Sequence, residues 1–233
     1  SYSVTGVQTC ALPISARRDL ESLAEQGKIQ RVHGGALSVK EAPPELPILQ
    51  REQEQFFEKQ HIGQAAAALV RDGETVFLGS GTTVLEVARN LRSCQNLTVI
   101  TNSLPVMNTL ANVPGIMLVA LGGMLRPSEL SFIGHITEQA LAEVRADKVI
   151  IGVHAINLEN GLTNDYLPET MTDRAILRAG REVVVVADHT KINAVATAFL
   201  APLTSIHTLV TDQKTPPDFL AALRQRGISV HMA

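Results

Sequence analysis

The runs KVIIGV (148–153) and VVVVA (183–187) constrain this chain more than any other feature. A strand with one wet face alternates apolar and polar residues. A strand that is apolar without interruption is buried on both faces, the condition of a parallel sheet covered by helices on each side. Further β-rich runs lie at 75–78, 97–101, 116–121, 208–211 and 228–231, and the two central runs extend over 148–153 and 182–187. Helical stretches separate them at 82–92, 104–112, 136–145, 170–180 and 217–226, and one long helix is predicted ahead of them over 49–71. This alternation predicts an α/β fold, an open and mostly parallel sheet with helices on both faces. With 233 residues, 45% of them hydrophobic and 18% charged, the chain has the apolar content to fill such a core. No apolar run approaches the ~18 residues of a membrane-spanning helix.

Before residue 49 the pattern differs. Residues 16–29, ARRDLESLAEQGKI, place Leu20, Leu23 and Ala24 on one helical face, with Gly27 where a C-cap belongs. In QRVHGGAL (30–37) the pair Gly34-Gly35 sits between short extended pieces, a hairpin signal. The proline-rich KEAPPELP (40–47) reads as a linker. The predicted order is a helix and hairpin over 16–39, a linker over 40–48 and the α/β domain over 49–233. Residues 1–15, SYSVTGVQTCALPIS, have no charge and no period. They resemble the translation of a sequencing adapter, the alternative being an ordinary flexible terminus, and the natural protein is expected to begin further upstream.

Charge and composition narrow the function. The net charge is −3, yet residues 16–40 carry five basic groups against three acidic ones. A basic start on an acidic body hints at one end that faces nucleic acid. Trp is absent and aromatics are 3%, which disfavours a stacking platform for single strands or sugar rings. The two cysteines, Cys10 and Cys94, show no pairing or metal-ligand spacing, and no signal peptide is visible, so a cytoplasmic location is expected.

In an open α/β sheet, ligands bind beyond the carboxyl ends of the strands. After the first strand comes Gly79-Ser80-Gly81-Thr82-Thr83, opening a helix. After the second comes Asn102-Ser103, after the third Gly122-Gly123, and after the fifth Asp188, His189, Thr190 and Lys191. Glycine backbone, helix N–H groups, hydroxyls and one lysine together suit an anion, phosphate above all. Each loop alone is equally a turn and a helix cap. Asp188 and His189 could do acid–base work or simply hold a ligand. Dinucleotide, P-loop, zinc-protease and nucleophile-elbow patterns are absent. The seven histidines (His33, His61, His135, His154, His189, His207 and His231) are scattered, so no metal and no cofactor are expected.

These residues resemble the DeoR (GlpR-type) family of bacterial transcriptional regulators. RRDLESLAEQGKIQRVHGGAL is similar to the recognition helix and wing of the family's winged helix-turn-helix. DGETVFLGSGTT, NLTVITNSL, LGG, DKVIIGV with GLT, VVVVADHTK and LVTD then follow in the family's order. The resemblance implies a sugar-phosphate sensor related to the ribose-5-phosphate isomerase and CoA-transferase sheet. The phosphate would fall on Ser80, Gly81, Thr82 and Thr83, with Asn102, Ser103, Gly122, Gly123, Asp188 and Lys191 nearby. It also places Arg17, Arg18, Arg31 and His33 at DNA-facing positions.

Two departures concern effector choice. Gly79 stands where the family usually has Asp, and Asp173-Arg174 lies where the family has a basic pair. The expected protein is a repressor of carbohydrate catabolism controlled by a phosphorylated sugar or sugar acid. It is expected to be a homodimer or homotetramer, with no membrane partner. Because the helices that precede the recognition helix are missing from the match, weak or absent operator binding is expected. The alternative is a sugar-phosphate isomerase or deaminase on the same sheet. The segment 17–37 argues against it, since an enzyme has no need of a recognition helix and wing.

Overall fold

The computed structural model describes residues 18–23, 29–32, 35–38, 40–42 and 45–233. The chain divides into two compact units, Ser1–Lys40 and Glu41–Ala233. In the first, residues 18–23 are helical (α1), and β1 (Ile29–Val32) pairs antiparallel with β2 (Gly35–Ser38). Helix and hairpin follow the predicted order. Arg18 is exposed on α1 and Arg31 stands on β1. Residues 1–15, Arg17, His33 and Gly34 lie outside the described residues. A two-residue strand, β3 (Lys40–Glu41), comes next in the chain.

The second unit runs through α2 (Ile48–Arg51), α3 (Phe56–Ala67), β4 (Thr75–Leu78), α4 (Thr82–Asn90), β5 (Leu97–Thr101), α5 (Leu104–Leu110) and β6 (Ile116–Ala120). A hairpin of β7 (Met124–Arg126) and β8 (Ser131–Ile133) leads to α6 (His135–Ala142), β9 (Ala146–Gly152), β10 (Ala155–Asn157) and β11 (Gly161–Asn164). The unit then continues with α7 (Leu167–Ala179), β12 (Gly180–Val186), β13 (Ala194–Val195), β14 (Ala198–Ala201), β15 (Thr208–Thr211), α8 (Pro217–Gln225) and β16 (Ser229–Met232). Among the described residues no helix is long and apolar enough to cross a membrane.

Seven strands form one parallel sheet in the order β16-β15-β12-β9-β4-β5-β6. The continuous apolar runs are explained by its two cores. Strand residues alternate in direction, so neighbours in sequence enter opposite layers. Val183 and Val185 of β12, with Val149 and Ile151 of β9, join Leu141, Ile176, Phe219 and Leu223 on one face. Val184, Val186 and Ile150 join Ile62, Ala66, Val84, Val87 and Val106 on the other. Each such fully buried side chain stabilises the fold by roughly 1.5–3 kcal/mol. A surface strand would have offered polar residues at every second position.

The predicted helix over 49–71 is broken in two. In an unbroken helix the Arg51 carbonyl would accept the Gln55 N–H. Here it accepts the Glu54 N–H and the Lys59 ammonium instead, and Gln55 adopts a left-handed φ of 48°. No helix breaker in the sequence marks this point. The cause is tertiary, because the Arg51 side chain is drawn to Glu45 and Glu129. The helix predicted over 170–180 starts earlier, at Leu167, with Pro168 in its first turn, where a missing N–H costs nothing.

Candidate functional site

The strand order locates the site. From β4 the chain steps outward through β5 and β6, then returns to the far side of β4 as β9 and steps outward the other way. Connections therefore diverge at β4 and β9, and a crevice opens beyond their carboxyl ends. A cavity open to solvent occupies this place. It is lined by Ser80–Thr83 after β4, by Gly152, Val153 and His154 after β9, and by Ala187, Asp188, Thr190 and Lys191 after β12.

Part of the cavity wall favours an anion. Gly81 precedes α4 at φ 110°, a conformation that suits glycine, and no side chain caps the helix. The first N–H groups of α4 have no partner within the helix, and Thr82 and Thr83 at its start line the cavity. Asp188 accepts the Thr190 N–H at 2.9 Å and the Thr190 hydroxyl. It thereby caps the short turn that presents Lys191. Lys59, from α3, is buried, and burial pulls its ammonium below its usual range. Arg51 completes the group.

Another part of the wall is acidic. Glu169 and Asp173 project from α7, Glu129 from the β7–β8 connection and Asp165 from the turn after β11. Ser131 donates to Glu169 at 2.8 Å, Arg126 pairs with Glu169, and the Asn164 amide donates to Asp173 at 2.8 Å. Burial raises the Glu169 carboxyl and, together with the charge of Glu169, raises Asp173 well above its ordinary value. Burial also pushes Glu129 up to about 7, despite its contact with Arg51. Glu45 goes the other way. Burial opposes its ionisation, but the adjacent His154 ring and the charges of Arg51 and Lys191 outweigh that and hold it at about 2.

Of the residues predicted from sequence, Ser80, Gly81, Thr82, Thr83, Asp188 and Lys191 meet in this cavity. Asn102, Ser103, Gly122 and Gly123 do not line it. The β7–β8 hairpin closes over them. The Asn102 amide donates to the Phe132 carbonyl at 3.0 Å, Ser103 bridges to Ser131, and the Thr137 hydroxyl donates to the Gly122 carbonyl. Gly79 packs against β9, where an added Cβ would lie 3.1 Å from Ile151. Asp173 enters the cavity, whereas Arg174 turns away to the Phe199 and Leu200 carbonyls.

The sequence reading did not include Glu45, Arg51, Lys59, Glu129, His154 or Glu169. His154 directly follows the strand expected over 148–153, where the strand-end rule points. Residues 45–48, within the stretch read as a linker, pack on the sensor unit: Ile48 is 2% exposed and Glu45 faces the cavity. Ligand atoms of Glu45, His154 and Asp165 lie within 4.8 Å of one another and could hold a cation. Arg51 and Lys191 already neutralise Glu45, and Arg126 stands 3.8 Å from Asp165, so the charge a metal would bring is present.

Residues 54–213 match the family model described as the DeoR C terminal sensor domain, and residues 13–42 match the DeoR-like helix-turn-helix domain. The second match begins inside the segment 1–15 that resembles an adapter. The chain is 34% identical over 202 residues to the transcriptional repressor AccR of Agrobacterium fabrum, covering 86% of this chain and 78% of that one. It is 35% identical over 216 residues to the HTH-type transcriptional repressor CsqR of Escherichia coli, covering 93% and 82%. It is 32% identical over 220 residues to the E. coli glycerol-3-phosphate regulon repressor, covering 94% and 87%. Among solved structures, ribose 5-phosphate isomerase A from Neisseria gonorrhoeae aligns with 57% of this chain and 52% of its own, at 17% identity and a TM-score of 0.43. The chain thus belongs to the DeoR family of transcriptional repressors, as a DNA-binding regulator that couples a DeoR-like helix-turn-helix to a DeoR sensor domain, and not as an enzyme.

Proposed function

We infer that the cavity binds a phosphorylated sugar or sugar acid, and that its occupancy sets operator affinity in a repressor of carbohydrate catabolism. The observation that carries this is that one cavity gathers cations, carboxyl groups and the start of a helix. Arg51, Lys59, Lys191 and the first residues of α4 line it together with Asp165, Glu169 and Asp173. Phosphate takes the cations and the helix start through charge and N–H groups. Sugar hydroxyls bond to the carboxyl groups. The proposed contacts are Ser80, Gly81, Thr82, Thr83 and Lys191, with Asp188 positioning Lys191. Asn102, Ser103, Gly122 and Gly123 support the sheet end beside them.

Arg17, Arg18, Arg31 and His33 are the proposed operator contacts, to phosphates or guanine edges. Operators read by helix-turn-helix proteins mirror protein symmetry, so a homodimer or homotetramer is proposed. An effector regulates only if it has different affinity for the two DNA-binding states. Ligand-observed NMR with phosphorylated sugars and sugar acids beside their unphosphorylated parents tests the site. Binding restricted to the phosphorylated members, unchanged over hours and lost in Lys191→Ala, is expected. Equal binding of the unphosphorylated parents would refute it.

A further inference from the structure

Glu45 begins the strap 45–48, and described residues on either side of it are anchored. Upstream, the Ala42 N–H donates to the Val195 carbonyl at 2.9 Å, and downstream the buried Ile48 donates its N–H to the Ser128 carbonyl at 2.7 Å. Between these points the Glu45 N–H donates to Asp165 Oδ2 at 3.2 Å. The carboxylate enters the cavity. Its Oε1 is 2.7 Å from Arg51 Nη1 and 3.4 Å from Lys191 Nζ, and its Oε2 is 3.3 Å from His154 Nδ1. Glu45 therefore holds two of the three cations to which the effector's anionic group is assigned above.

We propose that Glu45 is a resident counter-anion that sets the cavity's specificity: a phosphate displaces it from Arg51 and Lys191 and frees the strap, whereas a single carboxylate does not. The inference rests on the phosphate reading of the cavity. A carboxylate tethered by a few residues competes at an effective concentration on the order of millimolar. A free carboxylate brings the same charge and the same two oxygens, so it gains nothing over the tethered one. A phosphate ester brings a charge of about −1.5 to −2 and three acceptor oxygens. It also reaches the first N–H groups of α4 and the Thr82 and Thr83 hydroxyls. Two anions cannot share Lys191 in a partly buried cavity without strong repulsion, so the ligand and Glu45 exclude each other. Glu45 is close in sequence to Lys40, the last residue of the unit that carries the helix and hairpin.

The test is calorimetric titration of the full chain with inorganic phosphate and with acetate, in the parent, Glu45→Gln and Lys191→Ala. It is paired with amide hydrogen exchange of residues 45–51 in the parent, with and without phosphate. The parent is expected to bind phosphate and not acetate. Glu45→Gln is expected to bind phosphate about tenfold more tightly and to gain measurable acetate binding. Lys191→Ala loses both, and phosphate accelerates exchange of residues 45–51 in the parent. Suppose phosphate binds the parent and is lost in Lys191→Ala, but Glu45→Gln binds within twofold of the parent or exchange at 45–51 does not rise. The role given to Glu45 is then wrong and the phosphate site stands. Absence of phosphate binding in both the parent and Glu45→Gln overturns the phosphate site itself, and this inference with it.

Discussion

The strand ends of β4 and of β5–β6 look alike in sequence and differ in the folded chain. Gly79-Ser80-Gly81-Thr82-Thr83, Asn102-Ser103 and Gly122-Gly123 are all short runs of small or polar residues after an apolar strand. At β4 the loop borders the cavity, which Ser80–Thr83 line. At β5 and β6 residues of the same kinds lie outside that lining and make internal contacts. Ser103 bridges to Ser131, Leu104 donates to the Leu130 carbonyl, and an added Cβ at Gly123 would lie 2.1 Å from the Thr137 hydroxyl. Free N–H groups and hydroxyls bind a ligand only where the connections diverge and leave space.

Three experiments test this contrast. The largest effect is expected from Gly123→Ala. The new Cβ must expel the Thr137 hydroxyl from its bond to the Gly122 carbonyl, and the backbone sits at φ 155°, so a loss of about 3 kcal/mol is expected in urea unfolding. Phosphate affinity of the folded fraction should stay as in the parent. Gly81→Ala, at φ 110° in open space, should show the reverse: a smaller loss of stability and a clear loss of phosphate binding. A Gly123→Ala protein as stable as the parent would mean that the β6 end is not closed.

The second concerns the acidic wall. Burial raises Glu129 from 4.5 to about 7, so between those values the folded state holds a proton that the unfolded chain has released. The stability this group contributes is full below about pH 4.5 and is lost as pH rises through 7, by ~3 kcal/mol at most. Urea unfolding at pH 5 and pH 8 should show the parent losing more stability than Glu129→Gln. Equal losses would place Glu129 as an ordinary ionised partner of Arg51.

The smallest effect is expected from Asn102→Ala. Its amide bond to the Phe132 carbonyl is buried, and removing it should cost about 1 kcal/mol with effector affinity unchanged within twofold. A tenfold loss of phosphate binding would return Asn102 to the site and show that the hairpin opens in the bound state.

The relatives and the structure agree on what was legible. Among the described residues, 18–23 are helical and 29–32 pair with 35–38, where a helix was expected over 16–29 and a hairpin over 30–37. The cavity was half legible. Ser80–Thr83, Asp188 and Lys191 follow strands directly, so a rule about strand ends finds them. Glu45, Arg51, Lys59 and Glu169 come from a proline-rich stretch, a broken helix and two helix faces whose approach no local pattern encodes.

Burial on both faces leaves its mark on each strand separately. KVIIGV and VVVVA therefore determined the parallel sheet and its two helical layers from the sequence alone. The order β16-β15-β12-β9-β4-β5-β6 was decided only in three dimensions, because pairing energy is similar for any two such strands. That order put the crevice at β4 and β9, closed the ends of β5 and β6, and brought Glu45 to Lys191 from 146 residues away. Local chemistry wrote the elements; the sum of long-range packing and charge pairing chose which strand ends became a site.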